Sequence, residues 1–250
     1  MSLFLLIIIF SIISGVLSMI GGVVLLGRAE WVKKFSIHFI SFAAGTLLAT
    51  AFLDLLPEAL EMHGEAKPIL MATLLGIVSF FIIEKLIYRF HAHYYEDENQ
   101  HNHAAPVLLS IGDAVHNFAD GVIVAAAFLI NVPLGIVTAL AVAAHELPQE
   151  ITDFSVMLHH GWSRVKVFWT NFGISLTNVL GAIAAYVARD ALENKLPYII
   201  AFAAGIFIYI AGTDLFPEIT PERSRDKISH ILFLVFLGIV VVWVLRMALE

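Results

Sequence analysis

Four polar side chains share one face of an otherwise apolar stretch, IGDAVHNFADGVIVAAAF (111–128). They occur at i, i+3, i+4 and i+7: Asp113, His116, Asn117 and Asp120. Residues with this spacing lie on the same face of an α-helix. Imidazole nitrogens combined with carboxylate and amide oxygens suit a borderline divalent metal ion. The stretch therefore predicts a helix that contributes one side of a metal site.

A second polar group interrupts the apolar stretch that follows, in AVAAHELPQEITDF (141–154). Two pairs with i, i+4 spacing make up this group: His145 with Gln149, and Glu146 with Glu150. Pro148 lies among them and cannot donate a backbone hydrogen bond to the carbonyl of Ala144, so we expect a kink. The kink opens room between this helix and its neighbours. We expect the second group to face the first across a shared site.

These polar groups need a compensating charge if the two stretches cross a membrane. His116 and His145 each fall near the middle of their stretch, where a charged side chain costs at least ~2.5 kcal/mol on insertion scales. Neither stretch contains a Lys or Arg. A bound cation is the favoured partner, and a proton relay without metal is the alternative. The ligand types fit Zn²⁺, Fe²⁺, Mn²⁺ or Co²⁺ rather than Cu⁺, because the chain has no Cys.

The composition of the whole chain indicates a membrane protein. It is 60% hydrophobic and 14% charged, whereas ordinary globular domains carry roughly 25% charged residues. Apolar stretches long enough to cross a bilayer recur along the chain. The absence of Cys excludes disulfides and thiolate metal sites, and no block of basic residues suggests a nucleic-acid partner. We expect an all-α polytopic membrane protein whose single transmembrane domain is 1–250.

Eight membrane spans are expected, with uncertain edges. They fall at 3–27, 35–57, 69–90, 105–130, 133–159, 164–188, 196–218 and 228–249. If both termini lie outside, ten of the fourteen Lys and Arg residues fall in cytoplasmic connections and four outside. This distribution satisfies the positive-inside rule, so the sequence predicts that both termini lie outside.

The same orientation places a His-rich loop, 91–105, in the cytoplasm. It carries two HxH pairs beside acidic residues: His91, His93, His101 and His103. Such a segment binds metal weakly or serves only as a solvated linker, and the sequence leaves the two alternatives equal.

An internal repeat links the beginning and the end of the chain. FAAGTLLATAFLDLLPE (42–58) and FAAGIFIYIAGTDLFPE (202–218) match at a constant offset of 160 residues, and LGIV recurs at 75–78 and 237–240. The second and seventh spans are five crossings apart and therefore run in opposite directions. The pattern predicts inverted three-helix repeats, spans 1–3 and 6–8, that flank spans 4–5. This architecture is typical of secondary transporters with a site near the bilayer midplane.

The motifs HNFADG and HELPQE on consecutive spans resemble those of the ZIP (Zrt-, Irt-like) family of divalent metal transporters, HNFxDG and HExPHE. The resemblance covers essentially the whole chain. It implies a binuclear metal centre between the fourth and fifth spans. It also implies an elevator-like movement of spans one, four, five and six against a scaffold of spans two, three, seven and eight.

The resemblance assigns site residues by motif position. The first metal position corresponds to His116, Asp120, His145 and Gln149. The second corresponds to Asn117 and Glu146, with Asp120 and Gln149 bridging. Asn178, in SLTNVLGA, matches a position that supplies a carboxylate in some relatives, and Asp113 and Glu150 are further candidates. Gln149 stands where many members have His, which leaves the occupancy of the second position open.

These observations predict a secondary transporter that imports a divalent metal ion into the cytoplasm. Zn²⁺ is the expected cargo, with Fe²⁺, Mn²⁺, Co²⁺ and Cd²⁺ left open. The expected location is a cell membrane crossed several times, prokaryotic and cytoplasmic, and a homodimer is compatible with the sequence. One alternative is an intramembrane zinc metalloprotease, since HELPQE begins like the HExxH motif. A metal channel or sensor is the other.

Overall fold

The computed structural model describes residues 2–95, 104–219 and 228–249. Within these residues most of the chain is helical, and no β-strand is formed. The α-helices are α1 (Leu3–Ala49), α2 (Leu56–His63), α3 (Ala66–Tyr95), α4 (Ala104–Ile130), α5 (Val132–His159), α6 (Arg164–Val187), α7 (Arg189–Leu192), α8 (Leu196–Ile210), α9 (Phe216–Glu218) and α10 (Ile228–Leu249). A short 3₁₀ turn, Glu193–Lys195, precedes α8. The all-helical fold is as predicted.

Seven helical segments of the described chain are long and apolar enough to cross a membrane. They are Leu3–Gly27, Phe35–His63, Ala66–Leu86, Leu109–Ile130, Arg164–Val187, Arg189–Glu218 and Ile228–Leu249. Each coincides with one of the expected spans. The remaining expected span corresponds to α5, which has the length to cross but carries several polar residues from His145 onward.

Helix α1 contains the first of these segments and the beginning of the second, and the chain reverses within it. The ring of Phe10 lies 5.4 Å from the ring of Phe128, which packs against Gly135. Ala49 packs against Val137, two residues further along α5. A straight helix from Phe10 to Ala49 would be about 58 Å long. The two ends can meet the same part of α5 only if the chain turns back.

Both ends of the predicted loop 91–105 are helical in the structure. Helix α3 continues to Tyr95, so the backbone at His91 and His93 is helical, and α4 begins at Ala104. His101 and His103 lie outside the described residues. The helix therefore continues beyond its membrane-spanning part, Ala66–Leu86, into the polar segment that was predicted as a loop.

Close backbone contacts at glycines fix two helix pairs. A Cβ atom on Gly45 would lie 2.1 Å from the carbonyl oxygen of Val235 in α10. A Cβ atom on Gly205 would lie 2.1 Å from the carbonyl oxygen of Thr73 in α3. Small residues allow such contacts in membranes, where helix association depends on close packing. Gly45 and Gly205 occupy the same position in the two FAAG segments.

The same two segments contain the π-helical parts of the fold. One π-helix covers Thr50–Leu55 and the other covers Ala211–Leu215. Each lies directly after an α-helix and before the Pro-Glu pair that ends its segment. The likeness between 42–58 and 202–218 therefore extends from sequence to backbone conformation.

Candidate metal centre

Four side chains from two neighbouring helices converge inside the protein. Helix α4 contributes His116 and Asp120, and α5 contributes His145 and Glu146. Each offers one ligand atom, and the four atoms lie within 4.8 Å of one another. Asp120, His145 and Glu146 are each only 1% exposed. We call this group the central cluster.

Five of the six distances between the ligand atoms of the central cluster are close to those of a tetrahedral ion site. The Nε2 atom of His116 lies 3.3 Å from Nε2 of His145, 3.2 Å from Oε1 of Glu146 and 3.5 Å from Oδ2 of Asp120. The Nε2 atom of His145 lies 3.2 Å from Oδ2 of Asp120 and 3.8 Å from Oε1 of Glu146. Zinc bonds of about 2.0–2.1 Å place tetrahedral ligands about 3.3–3.4 Å apart. The four atoms surround a volume of the right size.

The orientation of the side chains also favours a shared ion over mutual hydrogen bonds. Oδ2 of Asp120 and Oε1 of Glu146 are buried, and no group in the described residues donates a hydrogen bond to either. Nδ1 of His145 lies 3.1 Å from the carbonyl oxygen of Ala141. A proton on Nδ1 donates to that oxygen and leaves the lone pair of Nε2 directed at the cluster, as in protein metal sites.

Packing between α4 and α6 holds one half of the central cluster. A Cβ atom on Gly121 would lie 1.8 Å from the carbonyl oxygen of Asn178, and one on Gly181 would lie 2.0 Å from that of Phe118. The hydroxyl of Thr177 donates to the carbonyl oxygen of Ala114 at 2.9 Å. These contacts fix the position of α4 along α6, and with it His116 and Asp120.

The charges of the central cluster balance a divalent cation. Two neutral imidazoles and two carboxylates carry a net charge of about −2, which one divalent ion neutralises. Buried charges in a membrane are tolerated when they are paired in this way. No Lys or Arg occurs between Arg89 and Arg164, so neither α4 nor α5 offers another cation.

The two candidate amides of the site face Asp113. Asn117 donates from Nδ2 to Oδ1 of Asp113 at 3.1 Å and to Oε2 of Glu146 at 3.4 Å. Gln149 donates from Nε2 to Oδ1 of Asp113 at 3.1 Å. Asn117 therefore holds the oxygen of Glu146 that does not face the central cluster. Gln149, assigned by resemblance to the first metal position, is bound to Asp113.

The other candidate residues are buried but are not among the four residues of the central cluster. Asn178 is buried in α6, and its Nδ2 lies 3.5 Å from the hydroxyl of Ser14. Glu150 is 1% exposed. Asp153 is 3% exposed and was missed by the sequence interpretation. The signal was present, because Glu146, Gln149, Glu150 and Asp153 repeat the i, i+3, i+4, i+7 spacing of the fourth span.

A cavity of about 440 Å³ connects the central cluster with one end of the helix bundle. His116 and His145 line its inner part, and Glu84, Asp214 and Glu218 line its outer part. Glu84 lies late in α3, and Asp214 and Glu218 follow α8. The cavity therefore opens where α3 ends and α4 begins.

Apolar side chains fill the interior toward the opposite end of the bundle. These side chains come from α1, α4, α5 and α8, and they include Leu47, Phe128, Leu134, Val142 and Phe207. The ring of Phe207 lies 5.8 Å from the ring of His145. In the described part of the chain, the central cluster is therefore reached through the cavity from one end, while the apolar core fills the other end.

Comparison with known proteins agrees with the geometry. The sequence profile described as ZIP Zinc transporter matches residues 2–107 and 96–246. Zinc transporter ZIP13 of Pongo abelii is 29% identical over 218 residues, which are 82% of this chain and 65% of that protein. Zinc transporter ZIP4 of Homo sapiens is 40% identical over 129 residues, 52% of this chain and 20% of that protein. The chain thus spans less than two thirds of the length of these two eukaryotic relatives.

Proposed function

The chain belongs to the ZIP zinc transporter family, and on this premise we propose that it imports a divalent metal ion, foremost Zn²⁺, into the cytoplasm. The observation that carries the proposal is the tetrahedral central cluster, which faces a cavity at one end and an apolar core at the other. An ion held there is exposed to one side of the membrane at a time. Alternating exposure of such a site is how secondary transporters move their cargo.

The proposed ligands are His116, Asp120, His145 and Glu146. This set differs from the one that the motif positions imply, because Glu146 completes the tetrahedron and Gln149 binds Asp113. Two imidazoles and two carboxylates favour Zn²⁺ and also accept Fe²⁺, Mn²⁺, Co²⁺ and Cd²⁺. Removal of any one of the four ligands leaves an incomplete coordination shell.

We further propose that α5 is the eighth membrane span and that both termini lie outside. The charge distribution supports this orientation, in which the cavity opens to the cytoplasm. The inverted repeat gains support from the matching positions of Gly45 and Gly205 and of the two π-helices. The prokaryotic membrane and the homodimer remain expectations.

Tight packing within two groups of helices supports an elevator movement. The first half of α1 packs closely on α5, since a Cβ atom on Gly22 would lie 2.5 Å from the ring of Phe154. Helix α4 contacts α6 at Gly121. The second half of α1 contacts α10 at Gly45, and α8 contacts α3 at Gly205. Each group can move as a unit because its helices pack closely at these glycines.

Uptake of zinc into proteoliposomes tests the proposed function. We expect saturable uptake with the parent protein and a loss of at least ~10-fold with Asp120→Asn, since this change removes a charged ligand. Asp190→Asn is the matched control, because its side chain is 88% exposed and far along the chain from the central cluster. Equal uptake by the parent and Asp120→Asn would remove the central cluster from the mechanism. Uptake that does not saturate would indicate a channel instead.

The metalloprotease alternative has a separate test. A labelled transmembrane peptide is incubated with the purified protein and zinc. We expect no cleavage, because Glu146 faces the central cluster as a ligand and the i+4 position of a zincin helix is Gln149. Cleavage that Glu146→Gln abolishes would favour the enzyme.

A further inference from the structure

Three more carboxyl groups are buried beside the central cluster. Asp113, Glu150 and Asp153 are 6%, 1% and 3% exposed. Asp113 and Asp153 line the cavity, together with Gln149 and Thr152. Asp113 precedes His116 by about one helical turn, and Asp153 follows Gln149 by about one turn. Asp113 and Asp153 therefore lie between the central cluster and the mouth of the cavity, and Glu150 is buried three residues before Asp153 in α5.

Most of the oxygen atoms of this group have no hydrogen-bond donor. The atoms concerned are Oδ2 of Asp113, Oδ2 of Asp153 and both carboxylate oxygens of Glu150, judged over the described residues. The carboxyl groups of Asp113 and Asp153 are close enough to interact electrostatically with each other. Two carboxylates cannot hydrogen-bond to one another without a proton or a cation between them.

The central ion does not satisfy these groups. Its charge is balanced by Asp120 and Glu146, so the three further carboxyl groups need a positive charge of their own. Burial of an uncompensated carboxylate costs several kcal/mol. The sequence offers no Lys or Arg between Arg89 and Arg164. The amide groups of Asn117 and Gln149 donate only to Oδ1 of Asp113 among the oxygens of this group.

We propose that Asp113 and Asp153, supported by Glu150, form a second cation site made only of oxygen ligands. This inference rests on the proposed function, since it places a second binding site on the path of the transported ion. It differs from the second position that the resemblance assigns to Asn117 and Glu146. Those two residues hydrogen-bond to each other in the structure.

The chemistry of the second site differs from that of the central cluster. Its carboxylates do not converge as closely as the four central ligands, so water in the cavity must complete the coordination shell. Oxygen ligands with several waters suit Mn²⁺ and similar hard ions, and bind Zn²⁺ less tightly than a site with two imidazoles. A weaker site beside the cavity receives an ion from the central cluster and releases it readily.

Equilibrium binding of Mn²⁺ to the purified full chain in nanodiscs tests the second site. The electron paramagnetic resonance signal of free Mn²⁺ measures how much ion is bound. We expect two ions per chain in the parent, one tight and one weaker. Asp153→Asn should keep the tight ion and bind the weaker one about 10-fold or more less strongly. His145→Ala should lose the tight ion and keep the weaker one.

Control variants show whether the weaker ion depends on Asp153 itself. Asp190→Asn should bind both ions as the parent does, and a single monodisperse species must be seen for each variant. The proposal is overturned if Asp153→Asn binds like the parent, or if the parent binds only one ion. It is also overturned if Asn117→Ala loses the weaker ion and Asp153→Asn keeps it. Failure of zinc uptake would refute transport and leave the Mn²⁺ result intact.

Discussion

Replacement of Gly121 by Ala gives a direct test of how the central cluster is held. A Cβ atom at this position would lie 1.8 Å from the carbonyl oxygen of Asn178, whereas real Cβ atoms essentially never approach within 3.0 Å. The helices α4 and α6 must therefore separate by about 1.2 Å or more, because both partners are backbone. Metal–ligand distances tolerate only about 0.2 Å of change. A displacement of α4 on this scale moves His116 and Asp120 out of register with α5.

We expect Gly121→Ala to bind Zn²⁺ at least ~10-fold more weakly and to lose transport in proportion. Overpacking should also cost roughly 1–3 kcal/mol of stability, seen as a lower unfolding temperature of the metal-free protein. Gly173→Ala is the matched control, because it lies in α6 with no atom within 4 Å of the added Cβ. Alanine at that position should be neutral or slightly stabilising.

Isothermal titration with zinc and thermal unfolding measure the two effects separately. Loss of stability without loss of affinity would mean that α4 moves together with its ligands, and that α6 does not set the geometry of the site. Unchanged affinity, stability and uptake in Gly121→Ala would refute the argument from backbone contact altogether.

Three further predictions address the cavity, the topology and the outer end of the bundle. Gln149→His should tighten zinc binding and slow release, because an imidazole beside the cavity adds a nitrogen ligand next to His116 and His145; an unchanged release rate in a stopped-flow assay would count against it. In intact cells an impermeant thiol reagent should label Asp190→Cys and leave Arg164→Cys unlabelled, and the reverse result would invert the topology. Arg246→Met should lower the unfolding temperature, since Nε of Arg246 lies 3.6 Å from the buried carboxylate of Asp54. Adding Asp54→Asn should restore the unfolding temperature. Additive losses in the double variant would show that the two residues are not coupled.

The sequence predicted those parts of the site that depend on local spacing. His116 and Asp120 share a helical face whatever surrounds the helix, and His145 must be compensated wherever it is buried in a membrane. Helix periodicity and the cost of burial are enough for both conclusions. The prediction of an all-helical membrane fold depended on composition alone and is confirmed.

Other features depend on contacts between distant residues, which spacing does not report. Gln149 shares a face with His145, but its amide group binds Asp113 in another helix. Glu146 is one residue after His145 and still completes the tetrahedron, because the site lies along the line where α4 and α5 touch. Helix α3 continues to Tyr95. Its polar end has the same composition as a loop, so the sequence did not distinguish the two.

The backbone contacts at Gly45 and Gly205 separate the motifs that serve helix packing from the motifs that supply metal ligands. A side chain at either position would collide with a backbone oxygen of another helix, whatever ion the protein carries. The glycines of the FAAG segments therefore determine how the helices pack and do not select the transported ion. The four proposed ligands of the central cluster lie in HNFADG and HELPQE instead. We expect a sequence that keeps the two glycines and lacks these four ligands to keep the helix contacts without forming the central cluster.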